Sequence, residues 1–153
     1  KTVYSELARR AGFASALVIR GMEGGVVPAL NKPASCSGYD ARGAASDYTV
    51  DPARLDIHSG LRAAPLPDVF PRVNARPRPP DDAAVINEAL AEAAATAGLN
   101  ALQGEAGPLR DGLIFAGALC LTHTGRMENL EAAAAAVRPA LGSGRALAHF
   151  SAE

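Results

Sequence analysis

The sequence predicts an α/β fold, with a few short strands in the front third covered by an alanine-rich helical set from the rear. Two observations carry this. Short apolar or β-branched runs closed by turn residues occupy the front, among them "ASALVIRG" and "DYTVD". Beyond residue 80, apolar residues recur at helical spacing through alanine-rich stretches. The composition is 48% hydrophobic and only 5% aromatic, without tryptophan, so the core must be built from small aliphatic side chains. A chain of 153 residues is long enough to enclose one such core.

"TVYSELARRAGF" sets Val3, Leu7, Ala8 and Ala11 on one helical stripe with Tyr4 beside them, and Gly12 stops it. "ASALVIRG" is a continuous apolar run ending on glycine and reads as a buried strand. "VVPAL" reads as a second short strand, confined by Pro28 to an edge or bulge because proline donates nothing to a ladder. A polar loop is expected over residues 31–46, then a strand at "DYTVD". Asp51 before Pro52 is an N-cap followed by an N1 proline and opens a short helix.

Residues 60–80 read as an extended connector or joint, since six of the eleven prolines lie there with Arg62, Arg72, Arg76 and Arg78 among them. The chain thus divides into helix and strands over 1–59, the connector over 60–80 and a helical part over 81–153, all within one domain. Asp81 or Asp82 is expected to cap a helix reaching about Gln103, with Val85, Ile86, Ala89, Leu90 and Ala93 on one side. Gly104 and Gly107 break it, and Pro108 opens the next helix. "LRDGLIFAGALCLTHTG" is apolar nearly all round and should be the core. Asn129 caps "LEAAAAAVRPALG", which Pro139 should kink or shorten, and Ser143 caps a last short helix through Leu147.

No apolar stretch is long enough to span a bilayer, and no signal peptide is expected. Cys36 and Cys120 stand far apart without metal-like neighbours, so two free thiols and a cytoplasmic location are expected. Residues 1–80 carry eleven Lys and Arg against seven Asp and Glu, and residues 81–153 carry four against nine. The front is therefore basic and suited to anions.

The rear third carries Gly107-Pro108-Leu109-Arg110-Asp111 at a helix start, Gly125-Arg126-Met127 at a turn, then Leu130-Glu131 and Ser143-Gly144-Arg145-Ala146-Leu147. In order and spacing these resemble the closing helices of the anthranilate phosphoribosyltransferase family, glycosyl transferase family 3. "ELARRAGFASALVIRGMEG" is similar to the helix and strand before that family's metal turn. The resemblance implies the second half of a phosphoribosyltransferase-like large domain, beginning inside a helix as if cut from a longer protein.

In the family that turn reads roughly His-Gly-x-x-Gly-Leu-Asp-Glu, and its acids hold the magnesium that accompanies phosphoribosyl pyrophosphate. A pyrophosphate leaving group needs a hard cation on oxygen ligands. Here the resemblance puts Arg20 at the histidine and Val26 and Val27 at the acid pair, and valine has no lone pair to offer. Glu23 lies on the wrong side of Gly24 and Gly25. The substitution looks like the YbiB-type paralogues, which resemble the transferase but bind nucleic acid. The family's Gly-Thr-Gly-Gly-Asp and Lys-His-Gly-Asn loops do not occur, nor does the helical domain that makes the family's homodimer.

The expectation is therefore a transferase-like protein without metal-assisted chemistry. It would bind phosphate-rich ligands, single-stranded nucleic acid among them, through Arg20, Lys32 and Arg42. No catalytic residue, metal or cofactor is assigned. Two alternatives stand beside it: an active phosphoribosyl or glycosyl transferase, completed by residues outside this chain and using magnesium with phosphoribosyl pyrophosphate, and a structural half that folds only against the rest of a parent protein or a partner chain.

Other constellations are weak. Gly21, Gly24 and Gly25 fit no nucleotide-binding spacing, and no G-x-S-x-G elbow occurs. His58, His123 and His149 are too dispersed for a metal, and His123 suits the C-terminal dipole of its helix. Glu88 and Glu92 share a helix face as a solvated pair.

Overall fold

The alternation of strand β2 (Ala34–Tyr39) organises the molecule. Its Ala34 and Cys36 face one way, into the core, and its Ser37 and Tyr39 face the other way, also buried. β1 (Ala16–Ile19) and β3 (Ala45–Val50) flank it, both antiparallel, in the order β1-β2-β3. The computed structural model describes residues 2–20, 27–65 and 80–151. Around the sheet stand α1 (Thr2–Arg10), α2 (Pro80–Leu102), α3 (Pro108–His123), α4 (Leu130–Gly142) and α5 (Arg145–Phe150). The arrangement is the expected α/β one, with strands at the front and alanine-rich helices behind.

One face of the sheet supports the main core. Cys36 and Val50 meet Ile114, Phe115, Ala118 and Leu119 of α3 and Ala133 and Ala134 of α4. Alanine on both helices lets them approach closely, which is how a chain poor in aromatics fills its interior. The 3₁₀ turn Pro52–Leu55, capped by Asp51, adds Leu55 to this cluster. It is tied to α4 twice, by Arg54 to the Glu131 carboxylate at 2.8 Å and by Arg138, which donates to the Leu55 carbonyl. The other face is covered by α1. Tyr39 donates its hydroxyl to the Phe13 carbonyl at 2.9 Å, and the Arg9 guanidinium stacks 4.2 Å above its ring.

Several expectations need correction. The polar loop over residues 31–46 contains β2, the central strand. Its Ser-Cys-Ser-Gly run looks like a loop by composition, but ladders on both sides satisfy its backbone. Gly38 is required there, since a Cβ would sit 2.2 Å from the Ala16 carbonyl oxygen. β1 is half-buried rather than buried and, among the described residues, stands at the edge of the sheet. Val27 to Leu30 form no strand. The Leu30 amide donates instead to the Arg62 carbonyl, and Pro28, Ala29 and Leu30 are buried; Val26 lies outside the described residues. The stripe of α1 also fails to face inward, for Val3, Tyr4 and Leu7 are exposed.

In the rear, α2 starts at Pro80 itself, ahead of both expected aspartate caps. Ala89, Leu90 and Ala93 are half-buried, while the side chains of Val85 and Ile86 lie outside those described. Pro108 opens α3 and the Asn129 side chain accepts from the Ala132 amide at 2.8 Å, both as expected. Pro139 does not end α4, which runs on to Gly142. Ser143 closes α4 rather than capping α5, whose N-cap is Gly144. Cys36 and Cys120 form no disulfide, the first being buried and the second exposed.

Candidate functional site

Strand geometry decides which cations can act together. The Arg20 amide donates to the Ser35 carbonyl at 3.1 Å, which extends the β1–β2 ladder by one residue and leaves Arg20 exposed at its end. Lys32, also exposed, lies two residues before β2 begins at that same end. The bond from Leu30 to the Arg62 carbonyl, 3.0 Å long, brings the first arginine of the connector to the same segment. Arg20, Lys32 and Arg62 thus enter from one end of the sheet. Sequence spacing could not have grouped Arg62 with the others, because the pairing that does so is a single backbone hydrogen bond between distant residues.

Arg42 is elsewhere. It sits in the β2–β3 turn at the opposite end of the strands, its guanidinium 3.8 Å from the Asp40 carboxylate. That carboxylate accepts from the Ala44 and Arg42 amides, each at 2.9 Å. The Ala44 bond, then those of Arg42, hold Asp40 below the usual carboxylate range. Arg42 serves a turn, together with Arg9, which reaches the Gly43 carbonyl at 3.3 Å.

Val27 marks a different environment. A Cβ on Gly112 of α3 would lie 3.0 Å from its Cγ1, so the valine rests against the helix backbone. With Leu30, Leu102, Leu109, Gly112 and Leu113 it lines a cavity of about 750 Å³ whose walls are almost wholly hydrocarbon. Nothing there ligates a hard cation. Among the described residues, no three His, Cys, Asp or Glu side chains gather to hold a metal ion. Magnesium, which the family resemblance implies, does not fit the described part of this site. Gly21 to Gly25 and Val26 lie outside it.

A second cleft of about 400 Å³ adjoins the first, lined by Asn100, Glu105, Gly107 and Arg110. The buried Arg110 Nε has no partner among the described residues, and neither has His123 Nε2 at the end of α3. Neither cleft was marked by the sequence. Arg110 appears in its Gly-Pro-x-Arg-Asp run, but the run alone does not say where the guanidinium goes. Against the core, where Tyr48 is half-buried, burial first and then the neighbouring Cys36 push its phenol up to about 12.

No protein-family model and no curated protein matches the chain. Among solved structures it is similar to the anthranilate phosphoribosyltransferase (TrpD) from Thermus thermophilus, with a TM-score of 0.54 and 24% identity. The match covers 94% of this chain and 35% of that one, so the chain spans about a third of the relative's length. What the likeness establishes is the fold, a phosphoribosyltransferase-like partial domain.

Proposed function

We propose that the chain is part of a phosphoribosyltransferase-like protein that has lost metal-assisted transfer and instead binds phosphate-rich ligands, single-stranded nucleic acid among them. On this reading it stands with the YbiB-type paralogues. The observation that carries it is Val27. A position that would have to offer carboxylate oxygen to magnesium offers methyl groups, seated on Gly112 at the edge of a hydrocarbon-lined cavity. The cations at the end of the sheet, Arg20 and Lys32, supply what a phosphate needs without a metal, and Arg62 enters beside them. Arg42 plays no part in this cluster. Cys36 and Cys120, joined in no disulfide, fit a reducing compartment such as the cytoplasm; among the described residues no helix is long and apolar enough to cross a membrane.

Two titrations test this. Calorimetry of the chain with magnesium and phosphoribosyl pyrophosphate should give no magnesium-dependent heat. Such heat would overturn the reading in favour of an active transferase. Fluorescence anisotropy with labelled single-stranded DNA should show binding at low salt that fades as salt rises. Absence of binding at low salt would remove nucleic acid from the proposal.

A further inference from the structure

We propose that the ligand of the phosphate site carries a hydrocarbon chain: a small phosphate ester whose anionic head meets Arg20 and Lys32 and whose tail lies in the cavity beside Val27. This rests on the phosphate reading and names the class of ligand within it. Two connections join head to tail. Leu30 is part of the cavity wall, and Lys32, exposed, follows it by two residues. The Leu30 amide is bonded to the Arg62 carbonyl, and Ala63 and Ala64, which come next, line the same cavity. The segment that brings cations to the end of the sheet therefore also walls the cavity.

The remaining walls come from α2, α3 and Phe150 of α5. They bound about 750 Å³, within the roughly 300–1,000 Å³ of small-molecule sites. Their chemistry selects the occupant. None of the described lining residues is charged, and the walls are almost wholly hydrocarbon. The polar edge of a nucleobase or a sugar hydroxyl placed there would give up its hydrogen bonds to water and find none in return. An alkyl chain gives up nothing and gains with each methylene removed from water. The ionic head stays at the mouth, where the cations match a phosphate and repel an ammonium group. Gly98 of α2 borders the cavity, and a Cβ there would meet nothing within 4 Å. Leucine at this position takes up cavity space and leaves the core alone.

Calorimetry of the whole chain at low salt with butyl, hexyl and octyl phosphate tests it. Each added methylene should tighten binding by about fourfold. Gly98→Leu should flatten that series, and Lys32→Ala should weaken every member by the same factor. Octanol, which has the tail without the charge, should bind far more weakly than octyl phosphate. If octyl phosphate binds no better than butyl phosphate while labelled single-stranded DNA still binds, the phosphate reading stands and the hydrocarbon tail is overturned. If neither the esters nor the DNA bind at low salt, both fall. Octanol binding as tightly as octyl phosphate would make the cavity a seat for an apolar side chain of another segment, and overturns the proposal. So does a Gly98→Leu chain that keeps the full dependence on tail length.

Discussion

Gly38 shows how far one missing side chain can determine a sheet. A Cβ there would meet the Ala16 carbonyl oxygen at 2.2 Å, a backbone atom that cannot swing aside. Gly38→Ala should therefore part β1 from β2 and destabilise the chain by about 1–3 kcal/mol, read as a lower urea midpoint. Tyr48 makes a second prediction. Burial, then Cys36, raises its phenol from 10.0 to about 12. The folded state thus holds this proton more tightly than the unfolded state, so the associated stability is complete below pH 10 and is lost as pH climbs towards 12. Melting temperatures measured across that window should fall, and Tyr48→Phe should flatten the fall. Residues with a local rule were legible in the sequence: Pro108, Asn129 and Asp51 each sit where their chemistry placed them. Ser143 followed the same rule and misled, because Gly144, with its positive φ, takes the cap between α4 and α5.

At the scale of elements, legibility followed periodicity. α3 was plain for another reason: Pro108 marks its start and its sixteen residues stay apolar nearly all round, burying Ile114, Phe115, Ala118 and Leu119. β2 was hidden because its stability comes from two neighbours, and six residues of small polar chemistry carry no period of their own. α4 shows a tertiary override of a local rule. Pro139 removes a helical donor, yet the helix continues to Gly142. Leu130, Ala133, Ala134 and Leu141 bury one face on the core, and Arg138 anchors the other side to Leu55, so packing holds the last turn. Pro139 itself is exposed. Pro139→Ala should then restore a bond without disturbing the core. After the loss of proline's restriction on the unfolded chain, a net gain of about 1–2 kcal/mol is expected in denaturant titration.

Across the whole molecule, charge and fold were legible to different depths. Counting charges along the chain reveals a basic front and an acidic rear, but not how the front's cations are divided between the two ends of the sheet. β2 performs that division, with Arg20 and Lys32 at the end where it begins and Arg42 at the end where it leaves. For the proposed phosphate site this becomes quantitative. Each phosphate neutralised on a single strand contributes roughly −0.7 to the slope of log K against log salt. Two or three cations at one end of the sheet then give a slope of about −1.4 to −2.1, far shallower than a long basic groove would show. Arg20→Ala should weaken binding and reduce the slope by about 0.7, since it removes one released counterion. Arg42→Ala should leave the slope unchanged, because that guanidinium faces Asp40 in the turn at the far end. Anisotropy with labelled single-stranded DNA over a salt series measures both. Equal losses from the two substitutions would mean that the ligand reads the diffuse charge of the front rather than the cluster at one end of the sheet.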